Sequence, residues 1–217
     1  MTDALDRRPG LPAADLHERI REAAFALLLS EHRAILPDEI ARASGAPMSG
    51  LPAMLDQLAG AGWIDRDEDG RVTGSAGLSL TTGPHRISID GTEFRTWCAY
   101  DSIGIAAALG ADAAIRTECA VCGEAIALET QAGQPPADRP ERLWLAAGGT
   151  DLRGDFCDPT VLLCSPEHAA VWAEQQGGHG RAVDLAEAAR FGAEGWASCA
   201  AAVITLRDPD QRLVPEP

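Results

Sequence analysis

The chain has 217 residues, with 33 acidic and 18 basic side chains and a formal charge of −15 at pH 7. Every basic residue is Arg, which excludes Schiff-base chemistry, a pyridoxal phosphate anchor and a phosphate-loop lysine. The negative balance argues against a broad nucleic-acid or anionic-membrane surface, while 46% hydrophobic and 24% charged residues suit a globular chain with a buried core.

Residues 1–14 hold two Pro and one Gly among mixed charges and read as a mobile tail. No apolar run follows their positive charges, so no secretory signal is expected. Apolar runs such as 23–29 and 103–109 fall far short of the ~20 residues of a membrane span, and a cytoplasmic location without membrane contact is predicted. Asp15 is placed to cap a helix whose apolar Leu16, Ile20, Ala23, Ala24, Leu27 and Leu28 lie near helical spacing. Pro37 opens a short helix that Gly45 stops, and Leu51, Met54, Leu55 and Leu58 predict a third over 49–60. A hairpin turning at Asp69-Gly70 follows. Helix, short helix, helix and hairpin is the pattern of a winged helix. Yet its would-be DNA-reading segment has no Arg, and the wing sets Asp65, Asp67, Glu68 and Asp69 against Arg66 and Arg71. Such a surface repels phosphate, so a structural or dimerising role is expected, with no nucleic-acid partner.

From Leu78 the texture changes. HRISIDGTEFRTW predicts a hairpin turning at Asp90-Gly91, and a helix begun near Cys98 would end at Gly110. Residues 113–130 read as strand, a Cys-Ala-Val-Cys-Gly knuckle, then strand. ERLWLAA and DPTVLLCS predict further strands, PEHAAVWAEQQGG a helix with Pro166 in its first turn, and 183–203 a last helical region. The predicted fold class is α+β. A winged-helix-like domain over 15–80 precedes a Cys-bearing domain over 81–217 with antiparallel or mixed strands.

All six Cys fall in the second part: Cys98, Cys119, Cys122, Cys157, Cys164 and Cys199. A reducing compartment disfavours structural disulfides, so so many thiols point to metal binding or thiol chemistry. Cys98 and Asp101 are three apart and share a face if they open a helix, whose N-terminus favours the thiolate. Cys157 lies in a second segment, Asp155-Phe156-Cys157-Asp158, whose acids read as solvated loop residues.

WCAYDSIGIAAALG resembles the segment of organomercurial (alkylmercury) lyases that reads Trp-Cys-Ala-x-Asp-Thr before an apolar stretch ending in Leu-Gly. GDFCDPTVLLCSPEHAAVWAEQQGG resembles that family's second segment, a Phe-Cys followed by a strand, a Ser and a helix bearing Trp. The resemblance implies a winged-helix-like domain ahead of the catalytic one, and cleavage of a carbon–mercury bond by protonolysis. It implies that Cys98, Asp101 and Cys157 are the catalytic set, with Cys98 and Cys157 holding the mercury. Two thiolates suit a soft cation, and Asp101 would give the leaving carbon its proton. The implied partners are an organomercurial substrate and, for the Hg(II) product, small cytosolic thiols or a mercuric reductase; no cofactor is required. Trp97 and Tyr100 are candidate pocket residues. The chain departs from the family pattern at Ser102, at Gly104-Ile105-Ala106 without a Pro, at Pro159, and in carrying Cys122 and Cys164.

Rival readings are a Cys-rich zinc or soft-metal binder or sensor, and a lyase homologue turned to another substrate. Cys119 and Cys122 are half of a zinc knuckle, whose other half could come from Cys157 and Cys164. Cys199 is expected to pack in a helix, and the five His show no ligand spacing. A monomer or a homodimer is compatible with the sequence.

Overall fold

The computed structural model describes residues 15–207, so the tail expected over 1–14 and the side chain of Asp15 lie outside the described residues. Three helices come first: α1 (Asp15–Glu31), α2 (Pro37–Ser44) and α3 (Leu51–Gly60). Pro37 sits in the first turn of α2, and Gly45 closes that helix in the left-handed conformation with φ 70°. The buried stripe of α1 includes Ile20, Ala24 and Leu28, which meet Ile40, Leu55 and Leu58 in the core. A hairpin of β1 (Ile64–Arg66) and β2 (Val72–Ser75) follows, and Ile35 bridges to Val72 on its far edge.

This hairpin does not stand apart. Through β3 (Leu78–Ser79) it joins β4 (His85–Ile89), β5 (Thr92–Thr96), β6 (Ala113–Glu118) and β7 (Ala125–Thr130) in one seven-stranded sheet ordered β1-β2-β3-β5-β4-β6-β7. Every pairing in it is antiparallel. The β4–β5 turn places both Asp90 (φ 51°) and Gly91 (φ 79°) in positive φ, the condition of a tight two-residue hairpin. A second antiparallel sheet, ordered β10-β8-β9, is formed by β8 (Arg142–Ala146), β9 (Val161–Leu163) and β10 (Gly180–Val183).

Between the two sheets runs α4 (Ala99–Leu109), buried from Ala99 through Ala107. Such an all-round apolar helix can only be a core element, and its capping Gly110 (φ 59°) ends it as expected. The remaining helices are α5 (Pro166–Gln175), α6 (Leu185–Gly195) and α7 (Ala197–Arg207). The single helical region expected over 183–203 is therefore two helices broken at Trp196, whose indole turns inward to donate to the Ala76 carbonyl at 2.6 Å. Cys199 packs in α7, buried as expected. The α+β class is the fold observed. Among the described residues no helix is long and apolar enough to cross a membrane.

The α4–α6 crossing is unusually close because glycines meet there. A Cβ on Gly192 would fall on the Gly104 backbone, and one on Gly104 would strike the Trp196 ring. We expect Gly192→Ala to force the helices apart and cost about 2 kcal/mol or more, read from the denaturant midpoint. The sheet also holds a titrating group. Burial lowers the His85 pKa from 6.5 to about 4, and its Nδ1 meets the Thr117 hydroxyl at 2.6 Å. Between those values the unfolded chain binds a proton that the folded chain refuses. This contribution is therefore whole above pH 6.5 and is lost as pH falls through 4, up to about 3 kcal/mol. His85→Gln should flatten the acid limb of the stability–pH curve over that window.

Candidate functional site

The N-terminus of α4 is where the chemistry collects. Cys98 is its N-cap, in extended backbone, with Asp101 at the third helical position. The two form a reciprocal box: the Asp101 N–H faces the Cys98 side chain, and the Cys98 N–H donates to Asp101 Oδ2 at 2.7 Å. The sequence spacing thus does double duty, since the pair that closes the helix end is also the thiol–carboxyl pair.

Cys157 arrives from the other sheet. It ends one turn of π-helix over Leu152–Cys157, which Asp151 caps by accepting from the Arg153 N–H at 3.0 Å. Thr160 then stitches this segment to α4. Its N–H donates to the Cys157 carbonyl at 3.1 Å, and its own carbonyl accepts from the Ala99 N–H at 3.2 Å. The sulfurs of Cys98 and Cys157 and a carboxylate oxygen of Asp101 lie within 4.8 Å of one another, all three residues buried. Sequence reasoning named these three residues, and the fold brings them together.

One expectation is corrected. The helix N-terminus was expected to favour the Cys98 thiolate. Burial instead pushes the Cys98 thiol well above its ordinary range, with the Cys157 thiol and the Asp101 charge adding to it and outweighing the Asp101 N–H. Cys98 is fully enclosed, and desolvation costs the anion more than a single N–H returns.

The enclosure is built by neighbours of small size or fixed position. Gly77 (φ +94°) lies against Asp101; a Cβ there would come 2.6 Å from the carboxyl carbon. Tyr100 packs edge-on to both Phe156, from the Cys157 segment, and Trp196. Trp97 lies under the Arg153 guanidinium, 3.2 Å from the ring centroid. An open groove of about 1080 Å³ passes His85, Arg86, Trp97, Arg116 and Cys157, but not Cys98, Asp101 or Tyr100.

A residue the sequence did not single out for this place ties the site to the N-terminal helices. Asp65, on β1, accepts from Trp97 Nε1 at 2.8 Å and from the Thr82 hydroxyl at 2.6 Å, and pairs with Arg153 at 2.9 Å. Arg153 also donates to the Gly62 carbonyl at 2.7 Å. One carboxylate therefore holds the residue before Cys98 and the turn that carries Cys157. The wing acids had a visible sign, but which of them turns inward depends on the hairpin's docking. The loop acid Asp155 also has a partner: its carboxylate accepts from the N–H groups of Thr150 (2.7 Å) and Asp151 (2.9 Å), which hold it below its ordinary range.

The other thiols divide differently from expectation. Cys119, Cys122, Cys164 and His168 form a second cluster, so Cys164 joins the knuckle while Cys157 does not. His168 had no ligand spacing to another His; its partner in sequence is Cys164, four residues before it, at 3.0 Å. Burial alone would raise the Cys119 thiol, but backbone N–H groups of Cys164, Cys122 and Val121 and the His168 ring bring it down to about 6.

Curated relatives that cover most of the chain are lyases, and the chain is an enzyme of that class. A family model described as alkylmercury lyase matches residues 78–197, and the chain belongs to the alkylmercury lyase family. The alkylmercury lyase of Bacillus cereus is 27% identical over 169 residues, 76% of this chain and 75% of that one. That of Pseudomonas putida is 32% identical over 116 residues, 52% of this chain and 54% of that one. Among solved structures, the mercury-bound form of MerB2 superposes with a TM-score of 0.74 at 22% identity, covering 88% of this chain and 93% of that chain, a likeness of fold.

We expect Asp65→Ala to destabilise the folded chain by about 2 kcal/mol, since it removes the acceptor of the Trp97 indole N–H and the counter-charge of a half-buried guanidinium that keeps only the Gly62 carbonyl. Asp65→Asn, which keeps an acceptor but loses the charge, should fall between the two in guanidinium denaturation.

Proposed function

We propose that the chain cleaves the carbon–mercury bond of organomercurials by protonolysis, with Cys98, Cys157 and Asp101 as the catalytic residues. The observation that carries this reading is the buried set itself: two sulfurs and one carboxylate oxygen within 4.8 Å at one helix N-terminus. Membership of the alkylmercury lyase family supports the same reaction.

The chemistry follows from the residue types. Mercury(II) is a soft cation and thiolate a soft ligand. Cys157 borders the open groove and Cys98 lies behind it, so Cys157 meets an incoming R–Hg species first. When one sulfur binds mercury, its proton leaves with the displaced ligand. When the second binds, its proton passes to Asp101, which the N-cap hydrogen bond holds beside both thiols. The two sulfurs raise electron density on mercury and weaken the Hg–C bond. Asp101 then gives the proton to carbon as the bond breaks. The hydrocarbon R–H departs, and Hg(II) stays on the two thiolates until a small thiol or a mercuric reductase removes it.

A high Cys98 pKa suits this order of events, because the thiol keeps its proton until a soft metal displaces it. The burial of Cys98 and Asp101 keeps that proton from exchanging with water before carbon takes it.

We expect Cys98→Ala, Cys157→Ala and Asp101→Ala each to lower turnover of phenylmercury by about 10³-fold or more, measured as benzene released in the presence of excess thiol. Asp101→Asn should still bind the organomercurial, visible as an added mass on the intact protein, yet release almost no hydrocarbon. A Cys98→Ala protein with full activity would overturn the mechanism.

A further inference from the structure

We propose that Cys119, Cys122, Cys164 and His168 form a structural zinc site that pins the two sheets together beside the active site. The four ligand atoms all lie within 4.8 Å of one another. Zn²⁺ in a closed site takes four such ligands at about 2.3 Å for sulfur and about 2.05 Å for nitrogen. A tetrahedron of those arms has S···S edges of about 3.8 Å and S···N edges of about 3.6 Å. The Cys122–Cys164 sulfurs stand 3.8 Å apart, and Cys119 Sγ stands 3.5 Å from His168 Nδ1. A third edge, Cys164 to His168 at 3.0 Å, needs to open by about half an ångström. At 3.8 Å Cys122 and Cys164 are two free thiols and not a disulfide, whose sulfurs would stand ~2.05 Å apart.

The chain around the ligands is shaped for this role. Cys119 and Cys122 sit on the tight turn between β6 and β7, where the Gly123 N–H donates to the Cys119 carbonyl and Gly123 takes φ 74°. Cys164 directly follows β9, and His168 lies in the first turn of α5, capped by Ser165. The Cys164 N–H points at Cys119 Sγ at 3.4 Å, the kind of N–H···S contact that steadies a ligating thiolate. Three thiolates and one imidazole leave no open position, and soft sulfur donors in tetrahedral array favour zinc over magnesium, calcium or manganese. Binding takes all three sulfurs as thiolates and releases to solvent whatever thiol protons they still carry.

The consequence is mechanical. The knuckle belongs to the large sheet and Cys164–His168 to the small one, with Ala120 N–H already donating to the Leu162 carbonyl across the gap at 3.3 Å. A metal here fixes β9, the strand that follows Cys157. The site is separate from the mercury-binding pair, so it stands or falls apart from the proposed catalysis.

The test is metal content of the full chain purified from zinc-supplemented cells without chelator. We expect about one zinc per chain by elemental mass spectrometry, unchanged in a Cys98→Ser/Cys157→Ser double variant and largely lost from Cys122→Ser and from His168→Ala. Cobalt(II) replacing the zinc should give thiolate-to-metal charge transfer and the intense visible bands of a tetrahedral ion. If the knuckle variants do not fold, the wild-type protein decides. A strong chelator should lower its melting temperature by about 5–10 °C, and added zinc should restore it. Folded wild-type protein without zinc, zinc lost only from the Cys98/Cys157 variant, a Cys122–Cys164 disulfide in the mass spectrum, or a melting temperature indifferent to chelator would each overturn the proposal.

Discussion

Keeping two thiols and a carboxyl out of water at the first turn of one helix is the constraint around which this molecule is arranged. A buried carboxyl needs a donor and a buried thiol needs close packing, or their desolvation unfolds the region that holds them. The reciprocal cap between Cys98 and Asp101 answers the first need, since a helix end must find partners for its free N–H groups in any case. The second need is met from outside the helix. Gly77 approaches because it has no side chain, and Trp196 and Phe156 close over Tyr100. The enclosure is also what raises the Cys98 thiol, so the packing and the protonation state have one cause.

The N-terminal helices and their hairpin acquire a purpose from the same constraint. The hairpin does not project as a free wing; β3 carries it into the large sheet, and α1 packs on α7 at the far end of the chain. Its acidic character, which speaks against a DNA-reading surface, supplies Asp65 to the junction where Trp97 and Arg153 meet. A basic residue at that position would oppose Arg153 and leave the Trp97 indole without an acceptor. The Arg153 contact matters because the turn it belongs to presents Cys157, and the turn's own bonds, the π-helical ones and those of Asp151 and Asp155, do not reach the N-terminal hairpin. The Pro159 carbonyl accepts from Trp172 Nε1 at 3.1 Å, which anchors the Cys157 segment to α5.

The thiols outside the proposed catalytic set mirror this organisation on the opposite side of β9. Cys157 precedes that strand and Cys164 directly follows it, so one short strand of the small sheet links two clusters of soft ligands. The clusters differ in burial. The three catalytic candidates are all buried, whereas Cys122 is exposed and Cys164 and His168 are half-buried. A site meant to hold a reacting metal gains from exclusion of water, and one meant to staple two sheets can sit at the rim.

Much of this was legible from residue order alone, because it rests on short-range physics. Pro37, Gly45, Asp90-Gly91 and Gly110 mark turns and helix ends through local backbone preference, and each marks the boundary found. The Cys98–Asp101 pair was readable too, since three residues along a chain set a helix-capping distance regardless of the surrounding fold. The two-residue β3, the break at Trp196 and β10 were not readable: each exists because a neighbouring strand or a distant carbonyl completes it. The same limit applied to the sites. Spacing could name Cys119 and Cys122 as a pair but not choose their partners, because Cys157 and Cys164 are close in sequence and only the path of β9 sends them to different clusters. Nor could it select Asp65 from four wing acids, or foretell that Cys98 would hold its proton. Those outcomes depend on which groups are brought together and how far water is excluded, and both are properties of the packed molecule.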